Sequence, residues 1–119
     1  MKPVIKVWCL PADLTEAQLK ELFQEIVQAV VANPFLKIKS EEDLLVLFPK
    51  DMMSYGLGSE IYVEITEIWH NPIENSYARA CLISDVGKVL EKKFPKAQII
   101  CYAVPFNSKE GATWCTPKQ

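Results

Sequence analysis

The chain has 119 residues, half of them hydrophobic and 24% charged, with a formal net charge of −2. That length suits one domain, residues 1–119, with a modest core. The charge balance excludes a nucleic-acid footprint: Arg79 is the sole arginine, the lysines are scattered, and no basic stripe exists. No apolar run has the length of a membrane span, and the N-terminus lacks the apolar core of a signal peptide, so no membrane partner and a cytoplasmic location are expected.

The first expected element is a strand from Pro3 to Cys9, rich in β-branched residues. Proline has no N–H to give a ladder and is at home at a strand's first residue. In "LTEAQLKELFQEIVQAVV", Thr15 and Gln18 form a T-x-x-Q capping box. Leu19, Leu22, Phe23, Ile26, Val27 and Val30 then recur at helical spacing, which predicts a helix from about Thr15 to Val31, closed by Asn33 and Pro34.

"EEDLLVLFP" predicts strand two, about Asp43 to Phe48. Its apolar run is continuous, which suits a strand covered on both faces. The glycine-rich "YGLGS" is a turn. "EIYVEITEIWH" alternates, with Ile61, Val63 and Ile65 on one face and Tyr62, Glu64 and Thr66 on the other, as in a strand half exposed to solvent. "HNPIEN" is a loop. A second helix is expected from about Ser76 to Phe94, with Tyr77, Cys81, Leu82, Val86, Val89 and Leu90 as its apolar face and Pro95 as its stop. The lysines of "EKKFPK" sit where a helix end favours cations. "AQIICYAVPF" is strand four, and the tail holds a glycine turn with a short strand around Ala112 to Cys115.

The resulting order is β-α-β-β-α-β, an α+β two-layer arrangement with two helices on one face of a four-stranded sheet. Because strand two is apolar throughout, the other sheet face is expected to be covered by further copies of the chain. Cys9, Cys81, Cys101 and Cys115 have no paired spacing, and one histidine, His70, does not complete a zinc set. Buried, reduced thiols are expected, with no metal and no cofactor.

Two folds share this element order, the ferredoxin-like fold and the tautomerase fold. The residues lean to the second. "FPKDMMSYGLGSE", "NSYARACLISDVGKVLEKKF" and "VPFNSKEGATW" resemble, in order, the strand–loop segment, second helix and C-terminal segment of the macrophage migration inhibitory factor branch. "PVIKVWCLP…LTEAQLKELF" resembles the β-α opening of the wider tautomerase superfamily, including 4-oxalocrotonate tautomerase. The likeness spans most of the chain.

That resemblance implies a homotrimer and a proton-transfer chemistry on a small keto or enol acid. In the family an N-terminal proline is the base: its secondary amine removes a proton beside a carbonyl. A free α-amine titrates near ~8, and desolvation lowers that value. The strand alignment puts Pro3 on this position. Met1 and Lys2 precede it, however, and an internal proline offers only an amide nitrogen. Initiator-methionine removal generally needs a small second residue, which Lys2 is not, so Pro3 is catalytic only if processing exposes it.

The resemblance also places Lys37 or Lys39, Trp69, His70 and Tyr102 at substrate-binding positions. A solvated loop lysine, a surface histidine and an interface tyrosine explain the same residues equally well. "PADLT" lacks the carboxylate-binding arginine of 4-oxalocrotonate tautomerase. The inhibitory factor's CxxC is absent, since residues 61–64 are Ile-Tyr-Val-Glu, so thiol oxidoreductase activity is not implied. The sequence leaves open a tautomerase, a non-catalytic binding protein on the same trimer, and a ferredoxin-like metabolite-binding module. Adjacency and direction of strands one and two separate the last from the others.

Overall fold

The structure, a computed structural model, describes residues 2–34, 36–53, 57–69 and 75–106. Strand β1 (Val4–Trp8) leads into helix α1 (Glu16–Val31). The Thr15 hydroxyl accepts from Gln18 N at 3.1 Å, and the Gln18 side chain accepts from Thr15 N at 2.8 Å, so the capping box is formed. A 3₁₀ turn (Glu41–Asp43) precedes β2 (Leu45–Leu47). Then come β3 (Glu60–Trp69), helix α2 (Asn75–Lys93) and β4 (Gln98–Phe106).

The strand order is β2-β1-β3-β4. β1 pairs with β2 in parallel, β1 with β3 antiparallel, and β3 with β4 in parallel. A ferredoxin-like chain splits its first β-α-β unit with another strand. Here the two strands of that unit are direct neighbours, so the ferredoxin-like alternative is withdrawn. The sheet consists of two β-α-β units laid head to tail.

Ile5, Val7, Ile61, Val63 and Ile65 turn to the helices and are buried with Leu22, Ile26, Val30, Leu82, Val86 and Leu90. At ~25 cal/mol per Å² of apolar surface, each of these side chains contributes roughly 1.5–3 kcal/mol. The helices run antiparallel, tied at one end by Lys93, whose Nζ lies 2.8 Å from both Glu21 Oε1 and Glu25 Oε2. Glu21 holds the Lys93 ammonium above its ordinary pKa, and Lys93 in turn holds Glu21 below the usual carboxylate range. At the other end, the buried Asn33 Nδ2 donates to the Ala78 carbonyl at 3.2 Å.

Four sequence expectations change. β2 is three residues long, because the Ser40 side chain accepts from Glu42 N and winds the acidic run into the 3₁₀ turn. Its run is not covered on both faces: Leu44 is buried, but Leu45 and Leu47 are 45% and 39% exposed. On α2 the apolar stripe is Ala78, Leu82, Val86 and Leu90, which leaves Tyr77 exposed. The thiols of Cys9, Cys81 and Cys101 are free but half-buried, and Cys9 lies just past β1. The tail, with Cys115, lies outside the described residues.

Candidate functional site

The sequence-predicted site starts from Pro3. Its carbonyl accepts from Leu45 N at 2.9 Å, which fastens it to β2 at the open end of β1. α1 returns the chain to that end, so residues 32–44, including Lys37 and Lys39, lie there as well. Asn33 anchors this loop to the first turns of α2. Lys37 is exposed and has a left-handed backbone, φ 55°. Lys39 is exposed too, and its backbone N donates to Asp43 Oδ2 at 2.9 Å. β3 runs towards the same end and finishes at Trp69, whose backbone pairs with Phe106. His70 lies outside the described residues. Pro3, Lys37, Lys39 and the Trp69 backbone thus share one end of the sheet.

Tyr102 does not join them within one chain. It pairs with Glu64, which pairs with Lys6. Tyr102 therefore stands two strands over and three residues along from Pro3, roughly 10 Å in each direction. Its side chain lies on the face away from the helices. Burial, and then the neighbouring Glu64, push its phenol above the usual tyrosine pKa. With Trp8, Cys9, Asp51 and Tyr62 it lines an open cavity of about 390 Å³ near the opposite sheet end. A second cavity of about 200 Å³ adjoins it, between Pro11, Leu14 and Leu19 on one side and Phe48, Pro49 and Leu57 on the other. Gly58 closes this corner at φ 74°, where a Cβ would sit 3.1 Å from the Pro11 ring.

One residue at the Pro3 end went unnoticed in the sequence. β3 takes in an extra residue between Ile65, which pairs with Ala103, and Ile68, which pairs with Pro105. Glu67 is that bulge, at φ 64°. The bulge shifts the phase of the strand, so that Ile68 and not Glu67 enters the core. The signal was present: Thr66 and Glu67 place two polar residues in succession where strict alternation demands one.

Among the described residues no cluster of three or more His, Cys, Asp or Glu side chains is placed to hold a metal ion. No helix of the described residues is long and apolar enough to cross a membrane.

No protein-family model matches the chain. No curated protein matches it either. Solved structures do. A malonate semialdehyde decarboxylase, solved as wild type, as an inactivated form and with its first-residue proline changed to alanine, aligns with a TM-score of 0.60 at 14% identity, over 96% of this chain and 92% of that one. Pt0534, inactivated by 2-oxo-3-pentynoate, aligns with a TM-score of 0.67 at 14% identity, over 92% and 91%. A fused 4-OT solved as a symmetric trimer aligns with a TM-score of 0.58 at 15% identity, over 92% and 94%. At these identities the likeness speaks for the fold: the chain has a tautomerase-like fold.

Proposed function

We propose that the protein is a trimeric tautomerase of a small keto or enol acid, with Pro3 as its base once Met1 and Lys2 are removed. The observation that carries the reading is the place of Pro3, at the free end of the first strand of this fold, with two lysines on the adjoining loop. As the first residue it would present a secondary amine at a half-buried position, and desolvation favours the neutral, proton-accepting form at pH 7. Lys37 or Lys39 would stabilise the negative oxygen of the enolate. Trp69 and His70 would bound the pocket. Tyr102 would serve the Pro3 site of a neighbouring copy, since its own Pro3 is out of reach. The solved neighbours support this assignment: one was studied through its first-residue proline, another was inactivated by a 2-keto acid, and fused 4-OT is a trimer.

A second reading, a binding protein without catalysis on the same trimer, is favoured by the peptide bond that joins Lys2 to Pro3. The test is phenylpyruvate tautomerisation, followed by enol absorbance, for the intact chain and for a chain beginning at Pro3. The shorter chain should be faster by about 10²- to 10⁴-fold, the usual worth of a placed general base. Failure of both forms on phenylpyruvate, hydroxyphenylpyruvate and short 2-keto acids would leave the binding reading standing.

A further inference from the structure

We infer that Glu67 is the proton-transfer base of the intact chain, the form in which the Pro3 nitrogen is an amide. This rests on the tautomerase reading and assigns that site a second catalytic group.

Four observations converge on Glu67. Val4 pairs with Thr66 in an antiparallel ladder that ends there, so Glu67 follows directly at the Pro3 end of the sheet. The Pro3 carbonyl turns to β2, where it accepts from Leu45 N. Next, Glu67 is the inserted residue of a bulge, the device by which strands re-aim a side chain beside a site. Third, its backbone lies at φ 64°, a left-handed conformation that glycine adopts freely and glutamate does not. A strained non-glycine residue persists where its surroundings over-determine it, and such residues cluster at functional sites. Finally, Glu67 is half-buried yet makes no hydrogen bond or ion pair with other described residues. Glu21 and Glu25, by contrast, are both engaged by Lys93.

The strain has a cheap structural remedy that this sequence does not use. Glycine at position 67 would keep the bulge, keep Ile68 in the core and remove the left-handed penalty. What glycine lacks is the carboxylate.

The step balances without any further reagent. The Glu67 carboxylate takes the proton from the carbon beside the substrate carbonyl. The C–H bond breaks, and its electron pair forms the C=C bond as the carbonyl π pair moves to oxygen. The enolate oxygen then receives the proton back from the Glu67 carboxylic acid. The base is regenerated and the product is the enol; the reverse sequence returns the ketone. A carboxylate performs this whether or not residue 3 carries a free amine.

The test uses the intact chain from Met1, with phenylpyruvate as substrate, in three versions: wild type, Glu67→Gln and Glu67→Gly. Wild type should turn over above the buffer rate, and both variants should fall by about a hundredfold, the lower range for one general base. The acid limb of the wild-type pH–rate profile should vanish in Glu67→Gln, a change that a purely structural role would not produce. Glu67→Gly secures the fold, because glycine tolerates the left-handed backbone and should raise the thermal midpoint while activity drops. Glu67→Gln within threefold of wild type would overturn the assignment. So would an intact wild-type chain without activity alongside an active chain beginning at Pro3, which leaves the tautomerase reading in place. If neither form of the wild-type chain has activity, both readings fall together.

Discussion

Asn33 offers the sharpest test of how this fold holds its candidate site. It is 4% exposed, and its Nδ2 donates to the Ala78 carbonyl at 3.2 Å, pinning the loop of Lys37 and Lys39 to α2. Asn33→Ala removes a buried hydrogen bond, worth about 1 kcal/mol, and leaves a small void, for a total of about 1–2 kcal/mol. Asn33→Asp keeps the shape but turns a carboxylate oxygen towards the carbonyl. A carboxylate in this buried place carries a desolvation cost that the amide does not, so at pH 7 the aspartate variant should be the worse of the two. The sign with pH follows. Burial raises the folded pKa of the new carboxyl above its unfolded value near ~3.9. The protonated form can donate to the Ala78 carbonyl, so the deficit is absent below the unfolded pKa and grows as pH rises through the folded one. Urea unfolding followed by far-UV circular dichroism reads this directly. With a slope of about 1.5 kcal/mol per M, the midpoint should fall by about 1 M for alanine and further for aspartate at pH 7. Measured against wild type at pH 4, the aspartate deficit should shrink below the alanine one. Equal midpoints for the two variants at pH 7, or an aspartate deficit indifferent to pH, would refute the view that this amide is a buried donor clamping loop to helix.

Two further outcomes are expected. Light scattering at micromolar concentration should give three times the chain mass of 13.5 kDa, and Leu47→Lys, which puts a charge on the face away from the helices, should lower it; a wild-type monomer would defeat the trimer. Burial pushes the Cys101 thiol up to about 11, so the fold favours the neutral thiol and loses that preference only as pH rises from the unfolded value of 9.0 towards 11. Below pH 9 Cys101 should therefore lag behind Cys9 and Cys81 in alkylation mapped by mass spectrometry, and labelling of Cys101 first would contradict its packing against Gly87 of α2.

The parts of the fold that were legible in the sequence are those where local chemistry and packing agree. Thr15 and Gln18 announce α1, and the register of Leu22, Ile26 and Val30 sets its buried face. The alternation of Ile61, Val63 and Ile65 sets the inner face of β3. What escaped was decided by tertiary context. "EEDLLVLF" reads as one long strand until the Ser40 side chain draws Glu41–Asp43 into a 3₁₀ turn. Tyr77 sits at helical spacing from Cys81, yet the stripe that meets the sheet starts at Ala78, a residue too small to dominate a hydrophobic pattern. Pro3 was legible as a strand opener. Glu67 left only the doubled polar step Thr66–Glu67, since a bulge breaks the period by which a strand is recognised, and φ 64° on a glutamate has no signature in composition.

The two β-α-β halves explain why Pro3 and Glu67 lie at one end of the sheet. β1 with β2 and β3 with β4 are each parallel pairs, set antiparallel to one another across the β1–β3 ladder. Each half thus opens a strand at an opposite end: Val4 at one, Glu60 at the other. The two openings are alike in backbone and unlike in what precedes them. At Glu60 the chain arrives through Ser59, whose carbonyl accepts from Gln98 N at 2.8 Å, so the backbone is spent on joining β3 to β4. At Val4 the same role falls to Pro3, whose carbonyl accepts from Leu45 N. On the proposed reading, removal of Met1 and Lys2 would convert this structural proline into an amine. Glu67 reaches the same spot from the partner strand because the antiparallel ladder brings the end of β3 to the start of β1. On the proposed reading, Pro3 and Glu67 would be two proton acceptors at this end, one dependent on processing and one built into the sheet.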